Sequence, residues 1–375
     1  MAVNKNHKIA IIGGGPGGLM LGLLLQNAGY QFTIFEKGEP TINSERGGSL
    51  DIHEESGQVA LKEAGILEEF KKLARYDGED TKIVGKDGTV YYEETAEGEG
   101  GRPEIDRGEL CDLIRTHIDS SHIQYGYKFK SLEQFKNGQV EITFNENEKQ
   151  IFDFVMGVDG AFSKVRPYLT STDIEYTGIS MIEINIDDVK NKYPDLAAYN
   201  KNGKMMALDQ NQALLAQLNG DGRIKVYASY RMDYDKLDDY KKLSPSELKQ
   251  QLLRDFHDWD ASLLQYIESM NDDILFRRIY KLPISLTWES NGSISLMGDA
   301  AHVMSPFAGE GVNAALYDAY LFVEALKQKD TLYPAIQYYE QEMYKHSRES
   351  AQGSQDNLER MFSQNAAEKL VELFK

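Results

Sequence analysis

The chain opens on an apolar run, Ile9-Ala10-Ile11-Ile12, which stops at Gly13-Gly14-Gly15-Pro16-Gly17-Gly18. A helical stretch follows over 19–27, and a second short run over 31–35 ends at Glu36. This pattern predicts strand, turn, helix, strand. Two later blocks predict the same strand-to-turn ending. In "FDFVMGVDGAFSKVRPYL" (152–169) a strand closes on Gly157-Val158-Asp159-Gly160 and a helix opens near Ser163, although Asp-Gly and Ser also serve as ordinary turn and cap residues. In "SLMGDAAHVMSPFAGEGVNAALYDA" (295–319) a strand over 294–297 turns at Gly298 and leads through a loop to a helix over 312–326.

Alternating stretches at 179–186, 204–210, 213–218 and 223–231 suit an antiparallel sheet with one face toward a ligand. Residues 78–101 predict a hairpin around Lys86-Asp87-Gly88 and then a solvated acidic loop. The stretch 244–269 predicts one helix capped by Ser244 with Trp259 in the core, and the chain is expected to stay helical from Pro334 to Lys375. The expected fold is α/β. A Rossmann-like lobe is assembled from 1–70, 100–170 and 275–340, a β-sheet substrate lobe from 71–99 and 171–274, and a bracing C-terminal helix covers 341–375.

A length of 375 residues favours two domains, and 41% apolar with 10% aromatic residues excludes a disordered chain. The 41 basic and 60 acidic residues leave a formal charge of −19, a mean field that argues against nucleic acid and anionic membranes as partners. The single cysteine, Cys111, reads as a small partly buried residue; it excludes an intrachain disulfide and fits a reducing compartment. Residues 9–25 have the hydrophobicity of a signal peptide, but Gly-Pro-Gly breaks the run and no small-residue cleavage pattern follows. The cytoplasm is the expected location. His53, His257 and His346 lack metal-site spacing, so no metal is expected.

The spacing Gly13-x-Gly15-x-x-Gly18 carries the first chemistry. One glycine allows the tight turn, one the close approach of a pyrophosphate, and one the packing of helix on strand. The helix starting near Pro16 aims its free N–H groups at phosphate, and Glu36 stands where an acid can bond an adenosine ribose. An adenine dinucleotide is implied, but FAD and NAD(P) both remain open. Asp159 and Asp299 stand at strand ends, where ligands of open parallel sheets gather. Asp299 can hold the hydroxyls of a ribityl chain, which FAD has and NAD lacks. Pro306, Phe307, Gly309 and Gly311 then form a loop whose backbone can approach a flat ring, and the following helix start offsets charge gained on reduction. FAD is therefore expected. His302 is read as packed beneath this loop rather than as a base.

Taken in order, the fingerprint, "DGAFSKVR" and "GDAAHVMSPFAGEGVNAALYDA" resemble the FAD-dependent group A aromatic monooxygenases, the para-hydroxybenzoate hydroxylase superfamily. Within it, "GGSLDIHEESGQVALKEAGILEEF" (47–70), "RPEIDRGEL" (102–110) and "GDAAHVMSPFAGEGVN" are closely similar to the tetracycline-inactivating flavin monooxygenases. The resemblance runs from Lys8 to about Met361. It implies that Gly13, Gly15 and Gly18 face the FAD diphosphate, Glu36 the ribose and Lys37 the adenine side. Asp51 and Arg107 would contact the flavin and Asp299 the ribityl and diphosphate part, while Pro306, Phe307 and Gly309 would line the face between flavin and substrate. The family's second arginine falls on Cys111. Its drug-contacting Gln, Arg and His fall on Glu183, Lys204 and Lys225, whereas Met206, Ser229, Phe307 and Met361 match. These departures change charge and hydrogen-bond geometry, and two lysines facing a ligand would favour an anion.

The activity so implied is NAD(P)H-driven reduction of FAD followed by transfer of one atom of molecular oxygen to a cyclic or aromatic small molecule. Tetracyclines, and hence antibiotic inactivation, are among the substrates this resemblance implies. Two other readings stay open: a flavin dehydrogenase or reductase of the same fold, and a non-catalytic flavoprotein that sequesters aromatic compounds. The expected partners are substrate and oxygen, with no nucleic acid and no membrane, and the chain is expected to act as a monomer.

Overall fold

The computed structural model describes residues 2–39, 48–98 and 100–374. Gly47 of the tetracycline-like stretch, Glu99 of the acidic loop and the terminal Lys375 lie outside the described residues.

A five-stranded parallel sheet runs in the order Ile294–Leu296, Phe154–Gly157, Lys8–Ile12, Gln31–Glu36, Ile123–Tyr125. Its inner strands are near-continuous apolar runs because both faces are covered. The helices Pro16–Ala28 and Glu310–Gln328 pack together, and a Cβ on Gly17 would lie 3.2 Å from Ala315 Cβ. The parallel order brings the ends of three motif strands to one edge, where the candidate site forms.

The second sheet has seven strands in the order Ile274–Lys281, Glu175–Ile186, Ile224–Arg231, Gln212–Leu218, Lys204–Asp209, Thr81–Gly85, Val90–Glu94. All pairs are antiparallel except Lys204–Asp209 with Thr81–Gly85. The hairpin around Lys86-Asp87-Gly88 forms, closed by Gly85 N–H donating to Thr89 O at 2.9 Å. The strand Ile274–Lys281 pairs along Glu175–Ile186, so this sheet takes in residues that the expected boundary at 274/275 gave to the other lobe. Period-two alternation divides its faces. Ile182, Ile184, Val226 and Ala228 pack with Trp259 and two helices; Met181, Met206 and Tyr227 face Phe307, Met361 and Phe362.

Three helix expectations change. The stretch 244–269 splits into Pro245–Asp255 and Ala261–Glu268 because it contains two caps: Ser244 forms a capping box with Glu247, and Asp260 accepts from Ser262 N–H. The C-terminal helix Leu332–Met361 ends before a left-handed Asn365, and Ala366–Val371 resumes the helix after it. Phe362 explains the break, since its buried ring packs at 5.5 Å from Phe307 rather than continuing along the helix. Near Ser163 only a single 3₁₀ turn, Arg166–Tyr168, appears. Side chains of Asp159 and Ser163 there hold the backbone N–H groups of Lys164, Val165 and Arg166 in a loop. Among the described residues, no helix is long and apolar enough to cross a membrane.

Candidate functional site

The first motif is welded by two glycines. Gly13 sits at φ +120, and a Cβ there would lie 2.3 Å from Val158 O; a Cβ on Gly18 would lie 2.0 Å from Gly13 O. Gly13 N–H donates to Phe35 O at 2.9 Å, which joins the turn to the second strand. Gly15 opens the helix Pro16–Ala28, whose start no side chain caps. A Cβ on Gly15 would meet only Arg107, with Nη2 at 3.8 Å. An uncapped helix start beside a guanidinium is an anion site. Glu36 accepts from Gly14 N–H and Gly38 N–H, each at 2.8 Å, so its carboxylate is fixed at the mouth of the turn, with Lys37 exposed beside it. Cys111 is one helical turn beyond Arg107; burial raises its thiol pKa, opposed by Arg107 and Arg115.

The second and third motifs meet at adjacent strand ends. Asp159 Oδ2 accepts from Lys164 N–H at 2.6 Å, while its Oδ1 is buried without a hydrogen bond. Asp299 opens the short helix Asp299–His302 at the end of its strand. Its residue keeps open surface, yet surrounding protein raises the carboxyl pKa, with His302, Arg107 and Arg166 opposing. Arg166, buried, donates from Nε to Ala300 O and from Nη2 to Ala161 O, both at 2.7 Å. It joins the two motifs, a role carried by the quoted "DGAFSKVR" but not singled out from sequence. Beneath them, Asp318 accepts from Gly298 N–H at 2.8 Å and pairs with His302 and His346 at 2.7 Å each. His302 is thus a buried packing histidine.

At the third loop, Pro306–Ala308 forms one 3₁₀ turn, and Gly309, at φ +68, opens the helix Glu310–Gln328 without a side-chain cap. A Cβ on Gly309 would lie 2.7 Å from Asp51 Oδ1, and one on Gly311 would lie 3.9 Å from Asp299 Oδ1. Asp51 and Asp299 therefore flank the same helix start. Asn313, wholly buried and missed by sequence reading, donates to Asp51 O at 2.8 Å and accepts from His53 N–H at 2.8 Å. His53 is also wholly buried. Burial alone would lower its pKa, but Asp51 and Glu310 beside it raise it to about 9.

The facing sheet supplies the other wall. Lys204 Nζ stands 3.9 Å from Asp51 Oδ2, and in a separate two-stranded pair, Ser49–Asp51 with Glu104–Asp106, Glu104 is the register partner of Asp51. Burial pushes the Glu104 carboxyl up to about 7, with Lys204 opposing. Glu183 and Lys225 pair with each other at 2.7 Å, and Arg277 Nε donates to the second Glu183 oxygen at 2.7 Å. Ser229 is buried, with Oγ donating to Tyr227 O at 3.2 Å. Met206, Tyr227, Phe307 and the buried Met361 share one apolar cluster. The long C-terminal helix holds the loop against it, with Asn357 Nδ2 donating to Phe307 O at 3.1 Å and Ser305 Oγ to Ser354 O at 3.0 Å.

This arrangement fits FAD. The uncapped helix start with Arg107 would hold the diphosphate, Asp299 the ribityl hydroxyls, and the main chain at Gly309, where a Cβ would crowd the Asp51 carboxylate, the flat ring. The monooxygenase asqM of Emericella nidulans is 28% identical over 98% of this chain and 98% of its own. The Klebsiella pneumoniae HpxO structure, complexed with FAD and uric acid, superposes with TM-score 0.79 at 17% identity over 98% of this chain and 91% of that one. Tetracycline destructase Tet(55) gives TM-score 0.71 at 20% identity over 94% and 90%. A family model for an FAD binding domain matches residues 6–329, and the chain belongs to that family.

Proposed function

We propose that this FAD-dependent monooxygenase, with NAD(P)H as reductant, places one oxygen atom on a small, uncharged cyclic substrate held between the Gly309 loop and the seven-stranded sheet. The observation that carries this reading is the pairing of the cleft's ions. Neither lysine stands alone: Lys225 pairs with the buried Glu183, whose second oxygen the half-exposed Arg277 holds, and Lys204 faces Asp51, which it shares with His53, so the anion preference expected from two lysines facing a ligand is weakened. What remains of the wall is apolar: Met206, Tyr227, Phe307 and Met361.

Bound FAD supplies the activated oxygen. The residues do the rest of the work. Gly15 and Arg107 would bind the diphosphate, Asp299 would hold the ribityl chain, and the backbone at Gly309 and Gly311 would receive the ring. Phe307, Met361 and Phe362 orient the substrate and exclude water from the reacting face. Tetracyclines belong to the cyclic class proposed, but Glu183 held by Lys225 and Arg277 is a different contact set from an amide, a guanidinium and an imidazole.

Incubation with NAD(P)H, isotopically labelled oxygen and a panel of neutral and anionic cyclic compounds, a tetracycline among them, tests the proposal by mass spectrometry. One labelled atom in the product of a neutral compound supports it. Unlabelled oxidised product would point to a dehydrogenase, and absence of turnover across the panel to a sequestering flavoprotein.

A further inference from the structure

Reduction adds negative charge to a flavin, and the start of the helix Glu310–Gln328 offers that charge a positive dipole end. Two carboxylates oppose this at the same turn. The Asp51 carboxylate occupies the space where a Cβ on Gly309 would lie, and Glu310 is the first residue of the helix. His53 lies between them, with no exposed surface. Its Nε2 is 3.3 Å from Asp51 Oδ2, and its Nδ1 is 3.5 Å from Glu310 Oε1 and 4.0 Å from Glu55 Oε1.

We propose that His53, as a buried imidazolium, compensates Asp51 and Glu310 and thereby sets how readily the flavin at this turn accepts electrons. The inference rests on the ring placement proposed above. The charged groups around the imidazole are Asp51, Glu55 and Glu310, which favour the cation, and Arg102, which opposes it; from the facing sheet, Lys204 Nζ stands 3.9 Å from the same Asp51 oxygen and shares in its compensation. The carboxylates prevail, and the pKa of about 9 keeps the ring charged at neutral pH. His53 acts through Asp51 and is a positioning residue. In the reduction, the hydride of NAD(P)H carries both electrons to the flavin and His53 exchanges none. The added negative charge raises the proton affinity of the imidazole, so at alkaline pH reduction draws one further proton from solvent onto His53.

The backbone N–H of His53 is held by Asn313, so the ring can be replaced with the main chain still anchored. The test is spectroelectrochemical titration of the FAD-loaded chain from neutral to alkaline pH, for wild type, His53→Gln, Glu310→Gln and Gly309→Ala. In wild type the midpoint potential should fall more steeply above about pH 9. His53→Gln should lose that bend and be harder to reduce at neutral pH; a tenfold drop in the reduction equilibrium constant would read as about 30 mV for a two-electron couple. Glu310→Gln should move the potential upward and the bend to lower pH. His53→Gln that binds FAD with the wild-type potential and pH slope overturns the proposal alone. If that variant fails to hold FAD, wild-type behaviour of Glu310→Gln overturns it. Gly309→Ala with full FAD at the wild-type potential would overturn the ring placement and this proposal with it.

Discussion

Lys225 reaches Glu183 across two neighbouring strands, Nζ to Oε1 at 2.7 Å, and both residues are almost wholly buried. Removing one partner of such a pair leaves an uncompensated buried charge, at a cost of about 3–5 kcal/mol. Glu183→Gln should lose stability on that scale by chemical denaturation, with Arg277, half-exposed and screened, adding little. The same variant should bind a phenolate more tightly than its neutral analogue, whereas wild type should show no anion preference. Calorimetric titration with both forms measures this, and a wild-type preference for the anion would show that the cleft is not charge-balanced.

Asp318 and His302 form a buried couple with a defined pH window. Burial acts to raise the Asp318 pKa, yet the two histidines hold it well below 3.8. Its stabilisation is therefore present above about pH 3.8 and is lost as pH falls through the lower folded value. His302 is raised above 6.5 by Asp318 despite burial. Its stabilisation is full below about pH 6.5 and is lost as pH rises through the folded value. The stability gap between wild type and Asp318→Asn should thus be widest between these limits, at about 3–5 kcal/mol, and should narrow on both sides. Denaturation curves across pH check it; a gap that does not vary with pH would remove the ion pair.

Arg166 links two motifs through main-chain carbonyl oxygens. Arg166→Gln removes charge-assisted hydrogen bonds and leaves buried acceptors unpaired, each worth about 1.5–3 kcal/mol. A lowered melting temperature and a weakened FAD dissociation constant are expected together. Loss of stability with unchanged FAD affinity would confine Arg166 to the scaffold.

Asp299→Ala should purify without the yellow colour of bound flavin, since the side chain stands open in the cleft beside the third-motif helix start. Absorbance of the purified variant reads this directly, and full FAD occupancy would place the ribityl chain elsewhere.

The glycine fingerprint, the two later motifs and the alternating strands were legible because their causes are local. A positive φ at Gly309, the Cβ-free approach of Gly18 to Gly13 O, and a period of two along 223–231 depend on a few neighbouring residues. From these followed the α/β fold, the family and FAD. Helix ends were less legible, since whether Asp260 or Phe362 interrupts a helical run depends on which cap or core contact prevails.

Partnerships across the chain belonged to the tertiary structure alone. Asn313 meets Asp51 from 262 positions away, and Arg277 meets Glu183 from 94. Sequence determined which residues carry charge at the cleft, but not that Lys225 would be matched by Glu183 or that a histidine from the first lobe would lie between Asp51 and Glu310. Charge and periodicity are properties of a residue and its neighbours, whereas pairing and pKa depend on distance and burial, which exist only once segments distant along the chain have packed together.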